Sequence, residues 1–534
     1  MNPGRTSIAS ATAFLALGAL AAAQATGRVS VDSTGAQGDD FSQISCLSFD
    51  GRFVLFESDA TNLVSGDTNG LTDIFVHDRL TGTTERVNVD SSGNEAVDDR
   101  CAIDNITCIS ADGRFVSFYG WASNLAPGVD TNGSSGSNVF FHDRLTGITE
   151  AIDVTPAGVC TSESSGGSMS SDGRFVAFTS AGLDLLAGGT NGMWHVWVHD
   201  RATGLNEIAS VDSSGNEGND RSSDGQYISA DGRFVCFGSF ATNLVPGITH
   251  GEHVYVHDRQ TGVTELVDMD PNGLPGNDAG IAGPMSSDGR YVTFWSESSN
   301  LGEHGTNGSW HVFLRDRATG IVELMSVDSN GIQGDAGGEF PSITADGRFV
   351  AFGSFSTNLV PNDTNSKEDL FVHDRLTGMT TRWNVRPDGS QSDWTGLYFA
   401  ASFPGFSGDG RFLSFTAWSD DLVGGDTNGV RDVFVRGPYL TLEADPPQVA
   451  AGATLTFTTW TGDASNLAML ALIDVDGAPI FLPAAISSFD AGGVWPFSAT
   501  VPSGLTGSVW TFRSYGFVPT GKVQASNDVA VTFQ

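Results

Sequence analysis

The chain has 534 residues, enough for about three ordinary domains or for one large repeat array with a smaller companion. Its 63 acidic residues against 26 basic ones give a net charge of −37, which excludes the basic footprint of a nucleic-acid binder and docking on anionic lipid headgroups. Charged residues make up only 17%, Gly numbers 67, and Ser, Thr, Asn, Val and Phe are plentiful, the composition of an all-β protein with many tight turns.

In chain order, residues 1–25 read as a secretory signal peptide. Arg5 supplies the positive start, Ala13–Ala23 the short apolar run, and Ala23-Gln24-Ala25 the small-residue cleavage pattern. That run is too short to span a bilayer, and no later stretch reaches 18 apolar residues. The expectation is an exported chain without membrane insertion: secreted, at the cell surface or in the periplasm. Cys46, Cys101, Cys108, Cys160 and Cys236 allow at most one or two disulfides there, and their pairing is not readable from sequence.

A repeat then dominates the chain. Asp-Gly-Arg-Phe-Val or a close variant begins at Asp50, Asp112, Asp172, Asp231, Asp288, Asp346 and Asp409. Spacings of 57 to 63 residues suit a four-stranded unit with generous loops. In the first copy, strand A is expected at 44–48, B at 52–57, C at 73–77 and D at 83–89. The seventh copy has a strand C at Asp432-Val433-Phe434-Val435 and no strand D after it. Gly27-Arg28-Val29-Ser30-Val31-Asp32 looks like a strand D with nothing before it. The N-terminal strand is therefore expected to complete the last unit and close a seven-bladed β-propeller over 26–437, leaving no open sheet edge.

The Ser-x-Asp-Gly-Arg-Phe-Val-x-Phe core followed by Asp-x-Phe-Val-x-Asp resembles the WD-like repeats of the TolB-type propeller family. The resemblance implies the fold. It does not choose among the family's envelope-complex subunits, peptidase-fused domains and polysaccharide lyases. After Arg436 the texture changes. Residues 438–534 carry apolar alternating runs at sandwich spacing and resemble the Ig-like modules of secreted bacterial proteins.

Candidate functional residues are sought where the repeat lapses. The Arg of every Asp-Gly-Arg turn, the hydroxyl two residues before its Asp, and the His of the His-Asp-Arg strings recur too often to be catalytic. The A–B and C–D turns are nearly invariant, whereas the D–A and B–C loops are read as variable and as the ligand face. Before strand C, three copies read Asp67-x-Asn69-x-x-x-Asp73, Asp363-x-Asn365-x-x-x-Asp369 and Asp426-x-Asn428-x-x-x-Asp432. In copies three, four and five the first Asp is lost and the last becomes His195, His253 and His311. Copy two is the exception, keeping Asp130 and Asn132 but placing Asn138 last; in the other six copies the acidic positions come and go together, as a shared partner would produce. Two carboxylates and an amide oxygen suit Ca²⁺, while an Asx-turn bonding the loop's own backbone is the alternative. Trp194, His195, His250, His253, His304, Trp310 and His311 give one sector an aromatic and imidazole character, read as a ligand-binding patch for sugar rings.

No nucleophile elbow, zincin, CxxC or phosphate-loop motif is present. The reading is an exported, non-enzymatic binding or scaffold protein, stiffened by calcium, that presents a propeller face to a protein or glycan of the envelope or exterior. The alternatives are a polysaccharide lyase or glycoside hydrolase using the histidine sector, and a structural surface or matrix component.

Overall fold

Each Ser-x-Asp-Gly-Arg-Phe string folds as the same turn. In the first, Ser48 Oγ donates to Asp50 Oδ1 at 2.8 Å and accepts from the Phe53 N–H at 2.9 Å, while the Arg52 N–H donates to Asp50. The same hydroxyl-to-Asp bond stands at Ser110, Ser170, Ser229, Ser286, Thr344 and Ser407. This computed structural model describes residues 25–437 apart from 104–106, 127–128, 130–135, 161–162, 223–224, 302–305 and 393–403, and beyond 437 the backbone of the strands alone. The signal-peptide segment and His304 lie outside the described residues.

Among the described residues, seven antiparallel four-stranded sheets form the blades of a β-propeller. Blade 1 runs Ser42–Leu47 (A), Phe53–Ser58 (B), Asp73–Asp78 (C) and Thr83–Arg86 (D). Blade 7 takes Gly405–Phe406, Leu413–Ala417 and Asp432–Gly437 as A to C and borrows the N-terminal Ala25–Arg28 as its strand D. That pairing runs in register from Ala25↔Gly437 to Arg28↔Phe434. First and last blades are thus held by one continuous chain, as the orphan strands in the sequence imply.

Strands B and C are buried on both faces, which explains their unbroken apolar runs. Each blade stacks one aromatic pair across them: Phe56–Phe75 at 5.8 Å in blade 1, Phe178–Trp197 in blade 3, Phe415–Phe434 in blade 7. Neighbouring blades interlock at the A–B turns. Gly113 sits at φ +71°, and a Cβ there would run into the Phe53 ring of the preceding blade. That ring lies between two guanidinium groups, Arg52 at 4.6 Å and Arg144 at 4.4 Å. Arg52 also forks onto Asp78 at 2.9 and 2.6 Å, and Arg144 pairs with Glu85 of the preceding blade at 2.5 Å. A belt of backbone bonds runs around the axis, from Phe49 N to Ala111 O and onward through Ser171, Ala230 and Ser287 to Ala345.

The recurrent arginines, hydroxyls and histidines are therefore structural. His77, for example, bonds Thr84 Oγ1 at 2.9 Å within its own blade. All five cysteines are buried and free of disulfides. The second compact unit, Leu440–Gln534, contains a three-stranded sheet (Thr441–Asp445, Thr454–Trp460, Val494–Thr500) and a five-stranded one. The five-stranded sheet is built from Gln448–Val449, Leu467–Val475, Ala478–Ser488, Val509–Phe517 and Val523–Phe533.

Candidate functional site

The Asp-x-Asn-x-x-x-Asp loops do have a shared partner, and it is an arginine. Arg86, on strand D opposite Phe75, places Nη1 3.3 Å from Asp67, 2.8 Å from Asp73 and 3.0 Å from Glu95 of the next D–A loop. Arg382 does the same for Asp363 (3.6 Å) and Asp369 (2.9 Å). In blade 7 the arginine comes from the N-terminal strand: Arg28 lies 3.3 Å from Asp426 and 3.6 Å from Asp432.

Asn69 Oδ1 accepts from the Leu71 N–H, and its Nδ2 donates to Ala96 O at 3.1 Å and faces Asp73 at 3.3 Å. Flipping the amide would break both backbone bonds, so the group turns N–H, not oxygen, toward the acids. Asn365 and Asn428 are held alike, each accepting from a backbone N–H two residues on. A guanidinium between the carboxylates and a committed amide oxygen do not fit Ca²⁺, which needs converging oxygens. Among the described residues, no group of three or more His, Cys, Asp or Glu is placed to hold a metal ion. Calcium at these loops would need that guanidinium displaced and the amide oxygen released.

Acids outnumber the cation in each of these boxes, and the electrostatics follow. Burial, reinforced by the Asp73 charge, pushes Asp67 up to about 6. Burial also raises Asp369 to about 6, and raises Asp432.

The histidine copies are a second solution to the same buried junction. His195 Nδ1 bonds Ser210 Oγ at 3.0 Å and Nε2 bonds Asn191 Oδ1 at 2.9 Å. His311 does likewise with Ser326 and Asn307. His253 bonds the Asp268 carboxylate at 2.7 Å and the His250 carbonyl at 3.2 Å. All three are buried, with both ring nitrogens occupied, and they present no imidazole to a ligand. Opposite them, the arginine of strand D is replaced by Ile208, Leu266 and Leu324. The chain thus uses a charged box (two Asp and Arg) in blades 1, 6 and 7 and a box of His and an aliphatic residue in blades 3 to 5, with the buried Asp268 added in blade 4. His250 alone of the described sector histidines is exposed, in the B–C loop.

Burial pushes His311 down to about 4. The unfolded chain then takes up the proton first, so this group's stabilising contribution is present at pH 7 and is lost as pH falls from about 6.5 toward 4. The His311→Gln variant is expected to lose about 2–3 kcal/mol less than the parent between pH 7 and pH 4 in urea unfolding. Equal losses would refute a neutral, buried His311.

The D–A loops prove less varied than the sequence reading has them. Bridges Val31↔Gln37, Val89↔Glu95, Val211↔Glu217, Met269↔Pro275, Val327↔Gln333 and Val385↔Gln391 mark one recurring loop. Its sequence signal, an Asp opening a turn closed by Gly three residues on, is visible at Asp32–Gly35, Asp90–Gly93 and Asp212–Gly215.

Repetition lapses one step beyond the last ladder pairs on this face. Those pairs are Ser42↔Ser58↔Asp73 in blade 1 and their equivalents, such as Ser180↔His195 and Ser296↔His311. The next residues of the seven blades include one aromatic each: Phe41, Trp121, Trp194, Phe240, Trp310, Phe355 and Trp418. Trp194 and Trp310 thus belong to the row, while the histidines that follow them turn inward. Phe41 and Phe355 are exposed, and the other five are half-buried.

Three of the rings lie beneath guanidinium groups of the same row: Arg100 over Trp121 at 5.2 Å, Arg221 over Phe240 at 4.5 Å, and Arg431 over Trp418 at 5.0 Å. Phe41 meets Trp418 at 6.1 Å, and Tyr119 meets Trp121 edge-on at 5.5 Å. Acids share the row, among them Asp59, Glu163 and Glu297. Sequence reasoning found two of the seven aromatics because those two precede a histidine at one position. The rest come from strands A and B and align only once the sheet register is known. The axial cavity of about 330 Å³ is a separate feature, lined by one apolar strand-A side chain from each blade, such as Leu47, Ile109 and Met169.

No protein-family model and no curated protein matches the chain. Solved structures share the fold at a distance. An Agrobacterium tumefaciens protein assigned as TolB is 16% identical, with TM-score 0.33, over 53% of this chain and 80% of its own. An oligogalacturonate lyase of Vibrio parahaemolyticus is 13% identical, with TM-score 0.46, over 77% of this chain and 93% of its own. A prolyl endopeptidase is 12% identical, with TM-score 0.42, over 86% of this chain and 61% of its own. The seven-bladed β-propeller is shown by the strand pairing itself, and the TolB and oligogalacturonate lyase propellers are distantly similar to it.

Proposed function

We propose that the chain is an exported, non-enzymatic binding and scaffold protein whose propeller presents the D–A/B–C face to a glycan or protein of the envelope or exterior. The observation that carries this reading is the aromatic row. One ring per blade stands on that face, where the surrounding loops otherwise repeat. Aromatic and arginine side chains are the groups that supply most binding energy at recognition surfaces. Three of the histidines that an enzymatic reading would use, His195, His253 and His311, are buried and bonded on both nitrogens. We assign the propeller to the TolB type on its repeat. The C-terminal unit is proposed as an Ig-like β-sandwich that spaces or retains the propeller.

The test is capture of partners from the producing organism's envelope and secreted fractions by the immobilised full mature chain. Material captured by the parent is expected to be lost with the Trp194→Ala/Trp310→Ala double variant, its thermal midpoint being checked in parallel. Capture that ignores both tryptophans would move the binding face elsewhere and end this reading.

A further inference from the structure

We infer that the ligand of the aromatic row is a neutral polysaccharide chain; this inference rests on the row being the binding face. The rings are spread over all seven blades, with Phe41 and Trp418 in contact across one blade junction. They stand one to a blade around the axis, whereas protein hot spots cluster near the centre of an interface. Stacking platforms spread around a rim suit a ligand with repeating faces, and a sugar ring offers an apolar C–H face to the π face of Trp.

The polar groups between the platforms are mixed in sign. Arg100, Arg221 and Arg431 share the row with Asp59, Glu163, Glu252, Glu297 and Glu368. Sugar hydroxyls both donate and accept, so such a rim satisfies them, while a polyanion would meet carboxylates among the arginines. The whole-molecule field points the same way. At a net charge of −37 a polyanionic chain is repelled before it reaches the face, and a neutral one is not.

Two of the rings, Trp121 and Trp418, are also held in place before any ligand arrives. Arg100 and Tyr119 both pack against Trp121, and Arg431 and Phe41 both pack against Trp418. A stacking surface held in place in the free protein loses less side-chain entropy on binding.

Affinity electrophoresis of the full mature chain tests this. Native gels would contain hydroxyethylcellulose, xyloglucan, glucomannan or laminarin as neutral probes, polygalacturonate as the acidic probe, or no polysaccharide. The expected result is retardation in at least one neutral gel and none in polygalacturonate. Trp121→Ala and Trp194→Ala should each weaken it roughly tenfold or more, with Trp121→Phe keeping most of it. Unchanged thermal midpoints would show that the variants are folded. Retardation by polygalacturonate alone, by no polysaccharide, or equally in the tryptophan variants would overturn the inference. If the gels fail while a protein is captured in a Trp194-dependent way, the binding face stands and only the glycan assignment falls. If capture also ignores Trp194, both fall.

Discussion

Replacing Arg28 by leucine is expected to cost about 3–5 kcal/mol of stability near neutral pH, the usual scale for removing one partner of a buried ion pair. The reason lies in where Arg28 sits. It is the cation of the blade 7 box, facing Asp426 and Asp432, and it is carried by the strand that closes the ring. Further contacts cross the same seam. Ser30 Oγ donates to Asp432 at 2.5 Å, Gln37 Nε2 donates to Asp426 at 2.7 Å, and Asn428 donates to Gly38 O at 2.9 Å. Val29 and Val31 are buried beside them, each contributing about 1.5–3 kcal/mol by burial.

Deleting residues 25–32 removes the Arg28, Ser30, Val29 and Val31 contacts and exposes the edge of strand C in blade 7. The expected loss is comparable to the whole stability of an ordinary domain, with association through the opened edge. Urea unfolding, limited proteolysis and sedimentation would read these effects. An Arg28→Leu protein with the parent's midpoint would show that the seam does not depend on its ion pair.

The second large effect is a coupling. Arg382→Leu alone leaves Asp363 and Asp369 without their cation and is expected to cost about 3–5 kcal/mol at pH 7.5. Part of that loss should return as pH falls. Asp369 is raised to about 6 in the fold against 3.8 as its ordinary value, so the fold binds a proton that the unfolded chain gives up. Its carboxyl therefore favours folding at low pH, and that contribution is lost as pH rises through this window. The chain itself supplies the compensating change, since blades 3 and 5 hold Gly, His and an aliphatic residue where blade 6 holds Asp363, Asp369 and Arg382. The triple variant Asp363→Gly/Asp369→His/Arg382→Leu is expected to be about 2–3 kcal/mol more stable than the sum of its parts predicts. Additive losses in a mutant cycle would mean that the two box types are not interchangeable solutions.

Much of this protein is written along the chain. Seven Asp-Gly-Arg-Phe turns, a seventh copy lacking strand D and an orphan strand at Gly27–Asp32 determine a closed propeller without reference to any coordinate. The reason is physical: turns and alternation are local, and a repeat whose unit cannot bury its own faces must close on its neighbours. The co-occurrence of Asp67 with Asp73 likewise disclosed a shared partner. It could not disclose which one, because Arg86 lies across strands C and D, in register with Phe75, and its role exists only after pairing. Charge compensation had an available signal, Arg86, Arg382 and Arg28 against Ile208, Leu266 and Leu324, but it is legible only once the strand D positions are aligned. The histidine sector misled for the related reason that composition does not say which way a side chain turns. Trp194 and His195 are adjacent in the chain, yet one joins the surface row and the other is sealed between blades. The aromatic row itself is assembled from strands A, B and C of different blades, so only the tertiary structure, by bringing strand ends to one face, makes it a surface at all.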